Sequence, residues 1–493
     1  MKIAKEIFRQ YDIRGIAGKE LNAEAVEAIG KAFGSFLHEK GVKEAVVGRD
    51  NRKSSRELSE AVVRGLVAAG CNVVDLGEVI TPMLYYARHH FKTGGGIMVT
   101  GSHNPPEYNG LKLAQGHGCI YGKDIQKIRE LVEEDAAKID EKSIEERGQE
   151  YPETGGALQG TRGLVEKEKF VKAAEKGKYE KRGIAEEYAK MLEKKIVLGK
   201  EKKLKIVLDC GNGTASLFAE KIFMQWGCEV EPLFCDSDSG FPNHFPDPTK
   251  EENLKQLIEK VKETGADAGI AFDGDADRIG VVDEKGGVVW GDMLMVLFAR
   301  ELLKKRKGEK VLVEVKCSQA LIDEVEKLGG KAIMCATGHS LIEARMREEN
   351  ALLTGEMSGH IFFADEYFGF DDAFYAAGRL LRILSNSRES LSEMLESAAK
   401  YYSTPEMRID CSDSEKFNVV EKVKRYFKAQ KYDTIDVDGV RVLFKNRGWA
   451  LVRASNTEPK LIVRAEAKTS AELKSICVIV RESLNKVGVE ANL

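Results

Sequence analysis

Three times along the chain a short β-branched apolar run gives way to a polar turn and then to a stretch of helical period. The runs are Ala45-Val46-Val47-Gly48, Lys205-Ile206-Val207-Leu208-Asp209 and Lys310-Val311-Leu312-Val313-Glu314-Val315. Alternation of this kind predicts α/β domains built on mixed or parallel sheets. From about Tyr401 the pattern changes to shorter strands, Val440–Phe444 and Ala450–Arg453, with a closing helix near Ala471–Asn485. That change predicts a smaller α+β domain at the end. At 493 residues the chain exceeds one ordinary core, so about three or four domains are expected. Clefts form where several cores meet.

Between Gly122 and Lys203 the chain is crowded with Lys and Glu, and Ser143–Gly183 has little apolar periodicity. This reads as a solvated helix pair and a linker. Net charge is −4, with basic residues dispersed among acidic ones, which argues against nucleic acid as a partner. The nine cysteines stand singly, without a C-x-x-C pair, behind a start that has no apolar signal region. Reduced thiols and a cytoplasmic location are therefore expected. The longest apolar run, Met293–Phe298, is far short of the ~20 residues of a membrane span.

Four loops carry the chemistry. Thr100-Gly101-Ser102-His103-Asn104-Pro105-Pro106 follows the apolar run Ile97-Met98-Val99, with Gly94, Gly95 and Gly96 read as a turn before it. Two prolines forbid a helix, so Ser102 is expected on a rigid exposed loop at a strand's carboxyl end, where open α/β sheets bind ligands. Asp273-Gly274-Asp275-Ala276-Asp277-Arg278 sets three carboxylates at alternate positions. Oxygen-only ligands favour Mg²⁺, Mn²⁺ or Ca²⁺. An EF-hand loop is the rival, since Glu284 is twelfth from Asp273, but Arg278 stands where that loop needs glycine and the flanks read as strands. Arg278 suits either an anion beside the metal or a structural ion pair.

Gly355-Glu356-Met357-Ser358-Gly359-His360 offers a carboxylate, a hydroxyl and an imidazole between glycines, an inventory that suits sugar hydroxyls as well as a plain turn. Arg453-Ala454-Ser455-Asn456-Thr457-Glu458-Pro459 brings a guanidinium, two hydroxyls and an amide into one loop, as a phosphate dianion requires. Arg14 and Lys112 are further cations near the serine loop. Cys210-Gly211-Asn212-Gly213-Thr214-Ala215 is a glycine turn that suits phosphate or tight strand-to-helix packing alike.

In this order the four loops resemble those of the α-D-phosphohexomutase superfamily, closest to its bacterial and archaeal phosphomannomutase/phosphoglucomutase group. The similarity covers nearly the whole chain, with supporting matches at Tyr11–Gly15, Phe241–His244, Lys316, Thr337–Ser340 and Gly369–Asp372. Ala336 and Glu343 stand where lysines are common in this group. The resemblance implies three similar α/β domains with mixed sheets and a smaller C-terminal α+β domain around a central cleft. Expected domains are 1–155, with a charged extension at about 143–183, then 184–289, 290–400 and 401–493. Implied is a phosphohexomutase interconverting hexose 1- and 6-phosphates of mannose, glucose or both, through phosphorylated Ser102 and a hexose 1,6-bisphosphate. Mg²⁺ on Asp273, Asp275, Asp277 and a Ser102 phosphate oxygen is the implied cofactor.

By the same resemblance His103, Lys112 and Arg278 steady the phosphoryl group, and Arg14, Lys112 and His360 are candidates for moving the hydroxyl proton. Tyr11, Lys316, His339, Glu356, Ser358, His360, Arg453, Ser455, Asn456 and Thr457 are the implied substrate contacts. A monomer or small homo-oligomer binding only small hexose phosphates is expected, without nucleic acid or membrane. Phosphoglucosamine mutase and a metal-stabilised sugar-phosphate binding protein without turnover are the alternatives.

Overall fold

The computed structural model describes residues 3–148, 176–456 and 458–491, the side chains of 136–148 excepted. Thr457 and the 149–175 part of the charged extension lie outside the described residues. The chain forms four sheets in sequence, each covered by helices.

The first sheet has seven strands in the order Ile13–Ile16, Tyr108–Gln115, Gly95–Val99, Glu44–Arg49, Asn72–Glu78, Tyr179–Lys181, with Gly118–Cys119 added beside Tyr108–Gln115. Its centre is parallel, whereas Tyr108–Gln115 runs antiparallel to both neighbours. Gly95 and Gly96, read from sequence as a turn, begin a strand that is buried at all five positions. Glycine is tolerated there because Arg88 and Leu37 press on the backbone where a side chain would stand. Tyr179–Lys181, inside the stretch expected to be helix and linker, instead joins the first sheet beside Val73–Asp75. Its three residues are exposed, so no apolar pattern marks the strand.

The second sheet has five strands, Val288–Val289, Ile279–Asp283, Ala268–Phe272, Lys205–Asp209 and Glu229–Leu233. The third has four, Lys331–Cys335, Lys310–Glu314, Leu353–Gly355 and Ile361–Phe363. In both, parallel pairs sit beside an antiparallel edge. Ala268–Phe272 is buried at all five positions, as a strand between two helical layers must be. The fourth sheet is antiparallel, with helices Lys416–Ala429 and Ser470–Lys486 packed against Trp449–Ala454 and Lys460–Ala467. Thr469 and Glu472 close a capping box at the start of the last helix.

One apolar core runs without a break through the first three sheets, joining Tyr85, Leu208, Phe298 and Phe374. The last domain keeps its own core, and its apolar contact with the third among the described residues is a small cluster of Val315, Trp449 and Leu451 with Met334 and Leu443. Around that small contact the bonds are polar: Arg441 stacks over Trp449 at 3.7 Å and donates to Val315 O at 2.7 Å, and Ser318 donates to Glu466 at 2.7 Å. Among the described residues no helix is long and apolar enough to cross a membrane.

Candidate active site

Ser102 leaves the carboxyl end of Gly95–Val99 in a left-handed conformation, φ 49°, which costs a non-glycine residue on the order of 1–3 kcal/mol. Arg52 holds it there. The guanidinium donates to Ser102 O at 2.7 Å, Pro105 O at 2.6 Å and Tyr108 O at 3.0 Å, and also to Asn104 O. Asp50 neutralises Arg52 at 3.1 Å and accepts from Gly101 N at 3.0 Å. Both partners are buried, so the pair fixes the loop from behind. Sequence reasoning missed it. The available signal was the polar triple Asp50-Asn51-Arg52 at the carboxyl end of a buried strand.

Ser102 is not exposed as expected but 2 % accessible, because the acidic loop of the second domain covers it. Ser102 Oγ donates to Asp273 Oδ2 at 2.9 Å and lies 3.1 Å from His103 Nδ1. The approach needs Gly274: a Cβ there would stand 2.3 Å from Ser102 O. The acidic loop turns tightly, with Ala276 at φ 58° and the Asp277 and Arg278 amides both donating to Asp273 Oδ1 at 3.1 Å. This brings ligand oxygens of Asp273, Asp275 and Asp277 within 4.8 Å of one another, all buried.

Lys112 bridges Asp275, at 2.7 Å, and Asp277, while Thr81 donates to Asp275 at 2.6 Å. Asp275 Oδ1 and Asp277 Oδ1 remain buried without a hydrogen-bond partner among the described residues. Burial and repulsion from Asp277 and Asp275 push the Asp273 carboxyl well above the usual range. Burial alone would lower the Lys112 ammonium, yet Asp275 and Asp277 raise it. Three converging carboxylates, two orphaned oxygens and no sulfur or nitrogen donor among the three fit a hard divalent cation. The EF-hand alternative fails on geometry, since strands Ala268–Phe272 and Ile279–Asp283 flank the loop and Glu284 bonds Ser392 instead.

Around this centre His360 Nδ1 lies 2.8 Å from Asp371, and its Nε2 accepts from Arg278 Nε at 2.8 Å. Arg14 pairs with Asp12 at 2.6 Å and donates to Asn104 at 2.9 Å. His339 lies between the Tyr11 ring, edge-on at 5.3 Å, and the His360 ring, stacked at 5.7 Å. Burial first, then the Lys112 ammonium, depresses His339 to about 3. Burial with Arg278 and Arg14 puts His103 well below its ordinary value, so both imidazoles are neutral at pH 7.

In the third domain Glu356 accepts from Gly338 N at 2.9 Å and from Ser358 Oγ at 2.7 Å. Although burial opposes ionisation, His360 and Lys316 hold Glu356 at about 2. Lys316 lies 3.3 Å from Glu406. Arg453 is tied to Asp438 at 2.9 Å, and Asp438 also accepts from Thr337 N at 3.1 Å, linking the Arg453 loop to the third domain. Arg453 Nη2 is buried with no hydrogen-bond partner among the described residues. Ser455 Oγ accepts from Glu458 N at 3.1 Å, with Asn456 beside it.

Two further features noted in the sequence join domains to one another. Glu343 accepts from Cys119 N at 3.1 Å and pairs with Arg347 at 2.9 Å, joining the third domain to the first. The glycine turn after Cys210 adds no carboxylate to the acidic cluster but braces its loop. Its Thr214 N donates to Gly274 O at 3.0 Å, and Asn51 of the first domain donates to Asn212 O at 2.8 Å. Asp371 and Asp438 were also without an assigned role from sequence, the second because a lone turn aspartate carries no pattern.

Models of the family described as phosphoglucomutase/phosphomannomutase match the chain four times: α/β/α domain I at residues 5–138, domain II at 186–287, domain III at 290–402 and the C-terminal domain at 406–483. A phosphomannomutase/phosphoglucomutase of Pseudomonas putida is 42% identical over 487 residues, covering 99% of this chain and 97% of that one. A phosphoglucomutase of Neisseria meningitidis is 41% identical over 477 residues, covering 96% and 95%. The crystal structure of a phosphoglucomutase/phosphomannomutase family protein from Burkholderia thailandensis superposes with a TM-score of 0.86 at 37% identity, covering 100% of both chains.

Proposed function

The chain belongs to the phosphoglucomutase/phosphomannomutase family of isomerases, and we propose that it interconverts the 1- and 6-phosphates of mannose and glucose by way of phosphorylated Ser102. The observation that carries this reading is Ser102 Oγ, 2.9 Å from Asp273 in a buried loop of three carboxylates, two of whose oxygens have no hydrogen-bond partner among the described residues. Asp273, Asp275, Asp277 and a phosphate oxygen on Ser102 would hold Mg²⁺, which when bound supplies charge neutralisation and polarisation of the phosphoryl oxygens.

In the first half-reaction the Ser102 Oγ–P bond breaks and a P–O bond forms to the free hydroxyl of a hexose 1-phosphate. The product is a hexose 1,6-bisphosphate, and Ser102 regains a proton. The bisphosphate turns end for end and returns its other phosphate to Ser102. Arg278 and neutral His103 donate to the oxygens of the group in flight, where positioning and fixed charge do most of the catalysis.

For the hydroxyl proton the geometry favours Lys112. His360 is held between Asp371 and Arg278, and Arg14 is a permanent cation already paired with Asp12. Lys112 owes its raised proton affinity to Asp275 and Asp277, so engagement of those carboxylates elsewhere frees it to release a proton.

Glu356, ionised and tied to Ser358, accepts two sugar hydroxyls, with Lys316, His339 and Tyr11 lining the same space. Arg453, whose Nη2 has no hydrogen-bond partner among the described residues, grips the phosphate that is not reacting, together with Ser455, Asn456 and Thr457. Hydroxyls O3 and O4 exchange places when the sugar turns, so neither grip requires a given configuration at C2. Both epimers are therefore substrates.

Purified protein given Mg²⁺, a trace of glucose 1,6-bisphosphate and, in parallel, glucose, mannose and glucosamine 1-phosphates tests this. Turnover of the first two is expected. Product from none of them reduces the chain to a binding protein, and a preference for the amino sugar makes it a phosphoglucosamine mutase. Ser102→Ala should keep the fold and lose at least ~10³-fold in kcat, since the nucleophile is gone; wild-type turnover in that variant would remove Ser102 from the mechanism.

A further inference from the structure

Two cysteines 25 positions apart meet at the end of the second sheet. Strands Lys205–Asp209 and Glu229–Leu233 run parallel, with Asp209 opposite Leu233, and Cys210 and Cys235 lie just beyond. Their sulfurs are 3.2 Å apart, whereas a bonded pair stands at ~2.05 Å. Among the described residues this is the one pair of thiols in such contact. The backbone around them is tightly turned: Gly211, Asn212 and Phe234 have φ of 51°, 58° and 51°, and Cys210 N and Asn212 N donate to Leu233 O and Phe234 O. Cys210 is sealed, while Cys235 is partly open to solvent. Its Sγ also points at Leu208 O and Leu233 O, so both thiols sit in the seam between the strand ends.

We propose that Cys210 and Cys235 are a reversible dithiol–disulfide pair, oxidised by hydroperoxides and restored by dithiols, and that its state is felt by the acidic loop. Cys235 is the attacking sulfur, because it is the one of the two that solvent reaches. Its thiolate takes an oxygen from hydrogen peroxide, giving a sulfenic acid and hydroxide. The Cys210 sulfur then displaces that oxygen as water and the S–S bond forms. Overall two thiols and one hydrogen peroxide give one disulfide and two waters. A dithiol reverses the change by exchange.

The coupling follows from the turn that begins at Cys210. Through Thr214 N it holds Gly274 O at 3.0 Å, through Gly213 it packs against Gly274 Cα, and through Asn212 O and Thr214 Oγ1 it carries Asn51, next to Arg52. Drawing the sulfurs together by about 1 Å must move this turn, and with it the loop that meets Ser102.

Full-length protein is treated with stoichiometric hydrogen peroxide, alkylated, denatured and digested. Free thiols should fall from nine to seven, with the Cys210 and Cys235 peptides joined, and dithiothreitol should restore nine. Cys235→Ser, checked for native circular dichroism, should keep its remaining thiols under the same dose, as should Cys235→Ala. Mutase kcat should drop several-fold on oxidation of the wild type, recover with dithiothreitol, and stay constant in both variants. Nine thiols after peroxide, or losses spread over other cysteines, overturns the pair. Joined peptides with unchanged kcat overturns the coupling.

Discussion

Replacing Gly274 by alanine tests how closely the serine and acidic loops must meet. The glycine has an ordinary φ, so alanine brings no backbone strain, only a methyl group. That methyl would stand 2.3 Å from Ser102 O and 3.4 Å from Pro246 Cγ, and real Cβ contacts do not fall below 3.0 Å. Pro246 limits retreat on one side and Arg52 holds Ser102 O at 2.7 Å on the other. The loops must therefore part by about 0.7 Å, and a misplacement of order 1 Å costs on the order of 10²-fold in rate. That is ~2.7 kcal/mol of barrier, beside a stability loss of roughly 1–3 kcal/mol from overpacking. The assay is conversion of glucose 1-phosphate to the 6-phosphate, coupled to a dehydrogenase, run beside thermal unfolding. Gly183→Ala, at an exposed position with nothing within 4 Å, is the control and should stay within about 2-fold. A folded Gly274→Ala protein with wild-type kcat would refute the claim that phosphoryl transfer requires this approach.

Other perturbations separate the parts of the site. EDTA should abolish turnover and Mg²⁺ restore it, measured by the same assay, because Asp275 and Asp277 each bury an oxygen that has no hydrogen-bond partner among the described residues. Arg453→Lys should raise KM for the hexose phosphate by ~10-fold or more with a smaller change in kcat, since an ammonium cannot reproduce the guanidinium fork. Glu343 is raised from 4.5 to about 7, by burial first, so the folded protein keeps a proton that the unfolded chain releases at lower pH. The resulting stability is complete below about 4.5 and is lost as pH rises through 7, on the order of 3 kcal/mol. The melting temperature should fall between pH 5 and pH 8, and less so in Glu343→Gln; equal slopes would refute the assignment.

Much of the site was legible because its parts are local. Asp273, Asp275 and Asp277 converge through one tight turn, and Ser102 sits where a buried strand must end. Glu356 and Ser358 are two residues apart and bond each other directly. What stayed hidden is non-local. Arg52 reads as a surface cation until the turn at Ser102 wraps its carbonyls around it. Asp371 gains its role only when Ile361–Phe363 and the segment leading to helix Ala373–Ser385 bring it to His360. The strand Tyr179–Lys181 has no apolar face to reveal it, and its pairing with Val73–Asp75 is made by backbone groups that every residue possesses.

Taken alone, the sequence determined the α/β alternation, the four chemical loops and their order, since apolar period and residue type act over a few positions. Only tertiary structure decided that Ser102 is covered by the acidic loop, that Glu343 belongs to a domain contact, and that Cys210 and Cys235 touch. Each of these depends on which surfaces meet when separate cores pack. Burial and approach distance are properties of the assembled chain, set by contacts between segments that the local pattern does not encode.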